Sequence, residues 1–364
     1  MKKSIPSIIV FAVTVMLLIS PEQSLEYAKN SLDLCFDVII PSLLPFFICS
    51  GLLIYSGFAK SLSKICRPVM KPLFNINGCG AAAFVLGIIS GYPLGAVTAC
   101  NLYKSGYLSQ SETERLLAFC NNSGPLFILG AVGSAVYASP KIGVILYISH
   151  ILSALTVGVL FRFYASGAHT SPDYTLNQTE QSFSETFTAV LSSSVNNILT
   201  ICGAIVFFGA VSGIISRYMP GGSLINSLTS ALLEMTNGIN KISRLDIPLA
   251  SKLIISSFAV GFAGICVHLQ VMSSVVRCHL SLRPYLIGKF MHGIMAALYT
   301  LILLRLFPNT VSVFANSNPG GYFASSLYTV ISVLFCILLA IFVIIFSFLG
   351  GKKFHKKKLT PNAK

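Results

Sequence analysis

The chain has 364 residues, 54% of them hydrophobic and 10% charged, with a mean hydropathy of +0.79. That balance excludes a soluble globular domain and places the chain among polytopic membrane proteins. The formal net charge of +14 does not mark a nucleic-acid partner. Lys2, Lys3, Lys60, Lys64, Arg67, Lys71 and the tail residues Lys352, Lys353, Lys356, Lys357 and Lys358 flank apolar runs, the distribution of positive-inside topology in a lipid bilayer, with loop 21–33 expected outside and the basic loop 58–78 inside.

The opening MKKSIPSIIVFAVTVMLLIS has a charged and an apolar region but no clear small-x-small cleavage site, and it reads as an uncleaved first span. Apolar runs long enough to cross a bilayer follow at residues 34 to 56, 115 to 137, 142 to 164, 192 to 216, 253 to 274, 285 to 306 and 325 to 350. Residues 79 to 101 read as a re-entrant hairpin, because SGYPLG (Ser90 to Gly95) leaves about eleven residues on either side, a reach of about 16 Å. Cys35, Cys49, Cys100, Cys120, Cys202, Cys266 and Cys336 lie in or beside apolar segments without metal-ligand spacing, and read as small packing residues.

Two runs are interrupted by residues that a lipid-facing helix should not contain, SGYPLG and NNSGP (Asn121 to Pro125). Backbone at bilayer depth must satisfy its own polar groups, so a break survives only where it faces protein or a watery cavity. Pro125 suits the first position of a new half-helix, with Ser123 or Asn122 as its cap. The positive end of that half-helix would then point into the membrane interior.

The chain also repeats itself. Arg115 to Gly124 lines up without gaps with Lys252 to Gly261, so that NNSGPLFILG faces FAVGFAGICV. His150 to Leu155 resembles His292 to Ala297, and by position Glu234 to Gly238 is the counterpart of SGYPLG. The expected fold is therefore all-α, with about eight transmembrane helices and two re-entrant hairpins in two inverted repeats with discontinuous helices. Its segments are a leading helix and short outer loop (1–33), a first repeat (34–164), a polar linker (165–190), a second repeat (191–306), a trailing helix (307–350) and a basic cytoplasmic tail (351–364).

The run GIISGYPLGAVTACNLYKSGYLSQSETERLLAFCNNSGPLFILGAVG resembles membrane proteins with nucleoside-recognition (Gate) domains, and among them the sporulation integral membrane proteins of endospore-forming Firmicutes. The similarity runs from about residue 34 to residue 306. The resemblance implies a protein made in the mother cell during sporulation and needed for spore cortex formation. It also implies kinship with concentrative nucleoside transporters, whose binding sites are formed by hairpins and unwound helices at the midplane.

Candidate solute-binding residues are Ser90 and Tyr92 from the first hairpin, Asn121, Asn122 and Ser123 from the first broken helix, Glu234, Thr236 and Asn237 from the second hairpin, and His268 and Gln270 from the second broken helix. Amides both donate and accept, which suits a small polar solute such as a sugar or nucleobase. An acid within a membrane segment is costly, so Glu234 is read either as a ligand for a solute hydroxyl or an H⁺ or Na⁺ coupling ion, or as an interfacial residue paired with Lys241 or Arg244. Asn121, Asn122 and Ser123 either contact ligand or cap a half-helix and cross-link the bundle. His150 and His292 occupy matched positions and read as packing partners, and Lys289 reads as a snorkelling residue near a helix end.

No HExxH, Walker loop or GxSxG frame is present, so neither an enzyme, a metal nor a cofactor is expected. A transporter or a non-transporting scaffold or sensor of cortex assembly both remain open, as do eight or ten spans. Cysteine labelling at Ser171 or Thr175 decides the last point. The inverted-repeat reading requires linker 165–190 on the cytoplasmic side, and labelling from outside removes it.

Overall fold

A computed structural model describes residues 4–56, 58–165, 182–218 and 224–307, and these are all helical apart from turns and breaks. The tail, the 325 to 350 run and most of linker 165–190 lie outside the described residues. In chain order, α1 (Ser4–Ile19) leads into α2 (Pro21–Leu34), which continues through a π-helical turn at Cys35–Ile39 into α3 (Ile40–Tyr55). The segment 21–33, expected as an outer loop, is thus a helix. Pro41 has no N–H to give the preceding turn, which accounts for the local widening to π geometry.

The basic segment expected as a cytoplasmic loop is also helical, as α4 (Phe58–Phe74). It is amphipathic: Met70 and Phe74 are buried, Ile65, Val69 and Leu73 are exposed, and Lys64 and Lys71 are exposed beside them. An apolar stripe with a basic flank suits a helix lying at the membrane surface. Residues Leu62–Phe74 and Gly78–Ser90 meet at 98°. At this corner Asn75 has φ 55 and the Asn77 side chain accepts from the Cys79 N–H at 3.1 Å.

The first hairpin consists of α5 (Ala81–Ser90) and α6 (Leu94–Lys104). It leads to α7 (Gln110–Cys120), the break, a π-helix (Leu126–Val136) and α8 (Pro140–Phe161). After the linker come the long α9 (Phe183–Arg217), then α10 (Leu224–Leu233) and α11 (Met235–Ser243), the second hairpin. Helices α12 (Leu249–Phe262) and α13 (Gly264–Val276) are two halves of one broken rod, and α14 (Arg283–Leu306) closes the described fold.

Among the described residues, four helices are long and apolar enough to cross a membrane: Pro140–Phe161, Phe183–Arg217, Leu249–Val276 and Arg283–Leu306. The bent pair at residues 62–90 makes a fifth if counted as one span. They coincide with four of the eight expected runs. α1 and α3 are shorter, at 16 residues each.

Helix α14 holds the centre, packed against α7, α8 and α12. Its approach to α7 and α12 depends on small residues, since a β-carbon on Gly288 would overlap Ala118 and one on Gly261 would sit 2.8 Å from the Gly293 Cα. Glycines likewise bring the first hairpin onto the end of α7: a β-carbon on Gly87 or Gly95 would overlap the Cys120 carbonyl oxygen. Gly95→Val is therefore expected to cost about 1–3 kcal/mol through overpacking. Gly203→Ala in α9, where a β-carbon meets nothing within 4 Å, should be neutral or stabilising by up to about 1 kcal/mol. Thermal unfolding in detergent checks both, and equal effects would contradict the packing described.

Candidate solute site at four helix breaks

Four interruptions divide the buried helices, and each has its own local chemistry. At the first, Gly91 adopts φ 86, a conformation glycine accepts freely, and Leu94 N–H closes the turn on the Gly91 carbonyl at 3.1 Å. At the second, Asn121 leaves helical geometry at φ −91, ψ 89. The Asn122 amide donates back to the Phe119 carbonyl at 3.0 Å, and the Ser123 N–H donates to His150 Nε2 at 3.0 Å. Asn122 therefore finishes α7 instead of capping the half-helix that follows. That half-helix starts at Pro125 with no side-chain cap.

At the third break, Glu234 is the N-cap of α11, one carboxylate oxygen accepting from the Thr236 N–H at 2.9 Å and the other from the Asn237 N–H at 2.8 Å. This commits the acid to its own helix. Lys241 is not its partner: its ammonium donates to Ser216, to Ser230 at 2.7 Å and to Asn226 at 3.3 Å. At the fourth break, Ala263 and Gly264 have φ 77 and 76. For alanine this left-handed geometry costs about 1–2 kcal/mol, a strain that surrounding packing must hold.

The breaks meet. A β-carbon on Gly91 would sit 2.9 Å from the Gly124 nitrogen, so the first hairpin turn lies directly on the first broken helix. One on Gly264 would sit 3.2 Å from the Ala231 oxygen and 3.4 Å from those of Leu232 and Leu233, so the last carbonyls of α10 converge on the second broken helix. The Tyr92 hydroxyl donates to Met235 Sδ, linking the two hairpin turns. Asn121 Nδ2 donates to the Tyr285 hydroxyl at 3.4 Å, and that hydroxyl lies 3.0 Å from His268 Nδ1, linking the two broken helices.

A buried polar chain runs on from there. Lys289, with none of its surface exposed, donates to the Asn121 carbonyl at 2.9 Å and lies 3.2 Å from His292 Nδ1. His292 Nε2 lies 3.0 Å from the His150 carbonyl, and the two imidazoles are tilted against each other with centroids 4.3 Å apart. The matched histidines thus pack together and hydrogen-bond, as their positions suggest. Lys289 does not snorkel: it is fully buried and its amine is engaged by the Asn121 carbonyl and His292.

Of the ten predicted residues, Ser90, Tyr92, Asn121, Asn122, Ser123 and His268 come together at this junction, and Glu234 adjoins it through Met235. Thr236 and Asn237 contribute backbone N–H groups to Glu234, and Gln270 bonds Cys266 Sγ within α13 at 3.4 Å. Tyr285 and Lys289 were missed. The available signal was a stripe, since Tyr285, Lys289 and His292 recur at i, i+4 and i+7 of an apolar helix and so share one face.

Nine buried side-chain polar atoms among the described residues have no hydrogen-bond partner, and five of them belong to the junction: Ser90 Oγ, Asn121 Oδ1, Asn122 Oδ1, His150 Nδ1 and His268 Nε2. Buried polar atoms are nearly always paired, and an orphan costs about 1–3 kcal/mol. More than half of these orphans fall on residues of this one junction.

Residues 36–210 match the family described as "Gate: Nucleoside recognition", a stretch that holds the first two breaks and His150 but stops short of the last two and Lys289. The chain is 30% identical over 320 residues, covering 78% of each protein, to the sporulation integral membrane protein YlbJ of Bacillus subtilis (strain 168). It belongs to the YlbJ family of sporulation integral membrane proteins. No solved structure matches it. As a YlbJ-family member with several long apolar helices, it is a multi-pass membrane protein of sporulation.

The two kinds of polar residue at the junction should separate in a stability measurement. Glu234→Ala removes a two-bond cap and is expected to cost about 1–2 kcal/mol. Ser90→Ala removes an orphan hydroxyl and should leave the unfolding temperature unchanged or raised. A large loss with Ser90→Ala would mean that its hydroxyl is structurally paired.

Proposed function

We propose that this protein is a transporter or permease of a small polar solute, acting in the mother-cell-derived membrane around the developing spore and supporting cortex formation. The observation that carries the reading is the meeting of four helix breaks around five unpartnered polar atoms. Interrupted helices facing one another inside a membrane protein provide a site without exposing backbone to lipid. The unpartnered groups include two amide oxygens, a hydroxyl and two imidazole nitrogens, a set suited to a solute with several hydrogen-bonding groups.

In this reading the two hairpins and two broken helices are halves of an inverted repeat, and alternating access moves each hairpin off the break it covers. The contacts of Gly91 with Gly124, and of Gly264 with the end of α10, are the surfaces that would part. Membership of the Gate and YlbJ families supports a transporter-like core in sporulation.

The test is uptake into proteoliposomes from panels of nucleosides, amino acids and amino sugars, combined with complementation of a deletion strain. Wild type should take up at least one solute class. Ser90→Ala and Asn121→Ala, accumulating normally, should each lower uptake by about tenfold and reduce heat-resistant spores. If both variants transport and complement as wild type does, the junction is not the solute site. A protein that complements fully while moving none of the solutes would favour a scaffold or sensor.

A further inference from the structure

Lys289 is the one lysine at the junction, and its surroundings hold no acid. It faces Cys120 of α7 and the Asn121 carbonyl just beyond it, His150 of α8, His268 of α13, and His292 of its own helix, with Tyr285 one turn earlier on the same face. No carboxylate among the described residues pairs with it. Glu234, the acid of the neighbouring break, is held by the Thr236 and Asn237 N–H groups.

The hydrogen bonds constrain the two imidazoles. His150 Nε2 receives the Ser123 N–H, so that ring is neutral with its hydrogen on the unpartnered Nδ1. A carbonyl oxygen can only accept, so His292 Nε2 carries a hydrogen toward the His150 carbonyl, and with Lys289 as donor to its Nδ1 this ring is neutral too. Lys289 meets two acceptors, the Asn121 carbonyl and His292 Nδ1, and a neutral amine has two hydrogens to give them. Each N–H of –NH₂ thus has an acceptor, whereas –NH₃⁺ would leave one N–H without an acceptor and a full charge without a counter-ion in a fully buried position.

We infer that Lys289, seated against His292, is a proton-binding site that couples opening of the junction to proton uptake. When a hairpin withdraws from its break and water enters, the amine takes a proton from that water and becomes –NH₃⁺, hydrated on its third N–H. Before the breaks close again, the ammonium returns the proton to water and the two-acceptor geometry is restored, so acid favours the open junction and alkali the closed one. The inference deepens the transport reading and rests on it only for the coupling to solute.

The test uses full-length protein in nanodiscs, labelled with ¹⁵N at lysine Nζ and titrated from about pH 9 to about pH 5, the range over which buried lysines exchange their proton. One resonance should show the shift of a neutral amine at the alkaline end and convert to ammonium on acidification. It should be absent from Lys289→Gln and Lys289→Arg, either of which suffices for assignment if the other does not fold. Ammonium at every pH, or a neutral-amine resonance that persists in both variants, overturns the assignment. In proteoliposomes, solute uptake by wild type should change as the pH passes through that conversion, and uptake by Lys289→Gln should ignore it. Wild-type uptake that is indifferent to pH removes the proton coupling and leaves the transport reading standing. A titrating Lys289 without uptake of any solute retains the proton site and removes the transport reading.

Discussion

A helix that stops inside a membrane leaves backbone N–H and C=O groups that lipid cannot satisfy, and this fold answers that constraint by setting its breaks against one another. The Gly91 turn lies on Gly124, and the final carbonyls of α10 surround Gly264. Where backbone does not suffice, side chains complete the accounting. Asn122 takes the end of α7, Glu234 takes the start of α11, and His150 takes the Ser123 N–H. The glycines follow from the same demand, because Gly87, Gly95, Gly124 and Gly288 sit where backbone must come within contact of backbone.

The arrangement divides the polar residues into two kinds. Glu234, Asn122 and Lys241 are occupied by the structure, and each spends its hydrogen bonds on a helix end or a neighbouring hydroxyl. Ser90, Asn121, His150 and His268 retain atoms with no partner, and in the transport reading proposed above these are the groups that would meet a solute. Lys289 stands between the two kinds, joined to the Asn121 carbonyl and to His292 with no carboxylate among the described residues paired to it. The strained Ala263 belongs to the same region, where packing from α10 and α14 holds a backbone that an isolated helix would not adopt.

Much of this was legible in the sequence because breaks in apolar runs leave strong local signals. SGYPLG and NNSGP each contain residues that interrupt a helix, and EMTNG was found by position in the repeat. The fourth break falls inside FAVGFAGICV, the stretch aligned with NNSGPLFILG, but later than its ungapped counterpart: the alignment sets Asn121–Gly124 against Phe258–Gly261, whereas the chain stays helical through Val260 and Gly261 and turns at the left-handed pair Ala263 and Gly264. Segments 21–33 and 58–78 were read as loops for their charge, but charge on one face is compatible with an amphipathic helix, as Lys64 and Lys71 beside Ile65 and Val69 show. The role of Lys289 was out of reach of local pattern, since only the packing of α14 against α7 decides whether a long basic side chain reaches an interface or is enclosed.

The central claim is that the two hairpin turns and the two broken helices form one junction in the membrane. Its most direct test replaces Tyr92 and Met235 together by cysteine, treats native membranes with a short thiol-specific cross-linker, and identifies the joined peptides by mass spectrometry. The account predicts an efficient link between positions 92 and 235, whose native side chains are in hydrogen-bond contact across the two hairpins. Efficient linkage of either cysteine elsewhere, with none between this pair, would contradict it.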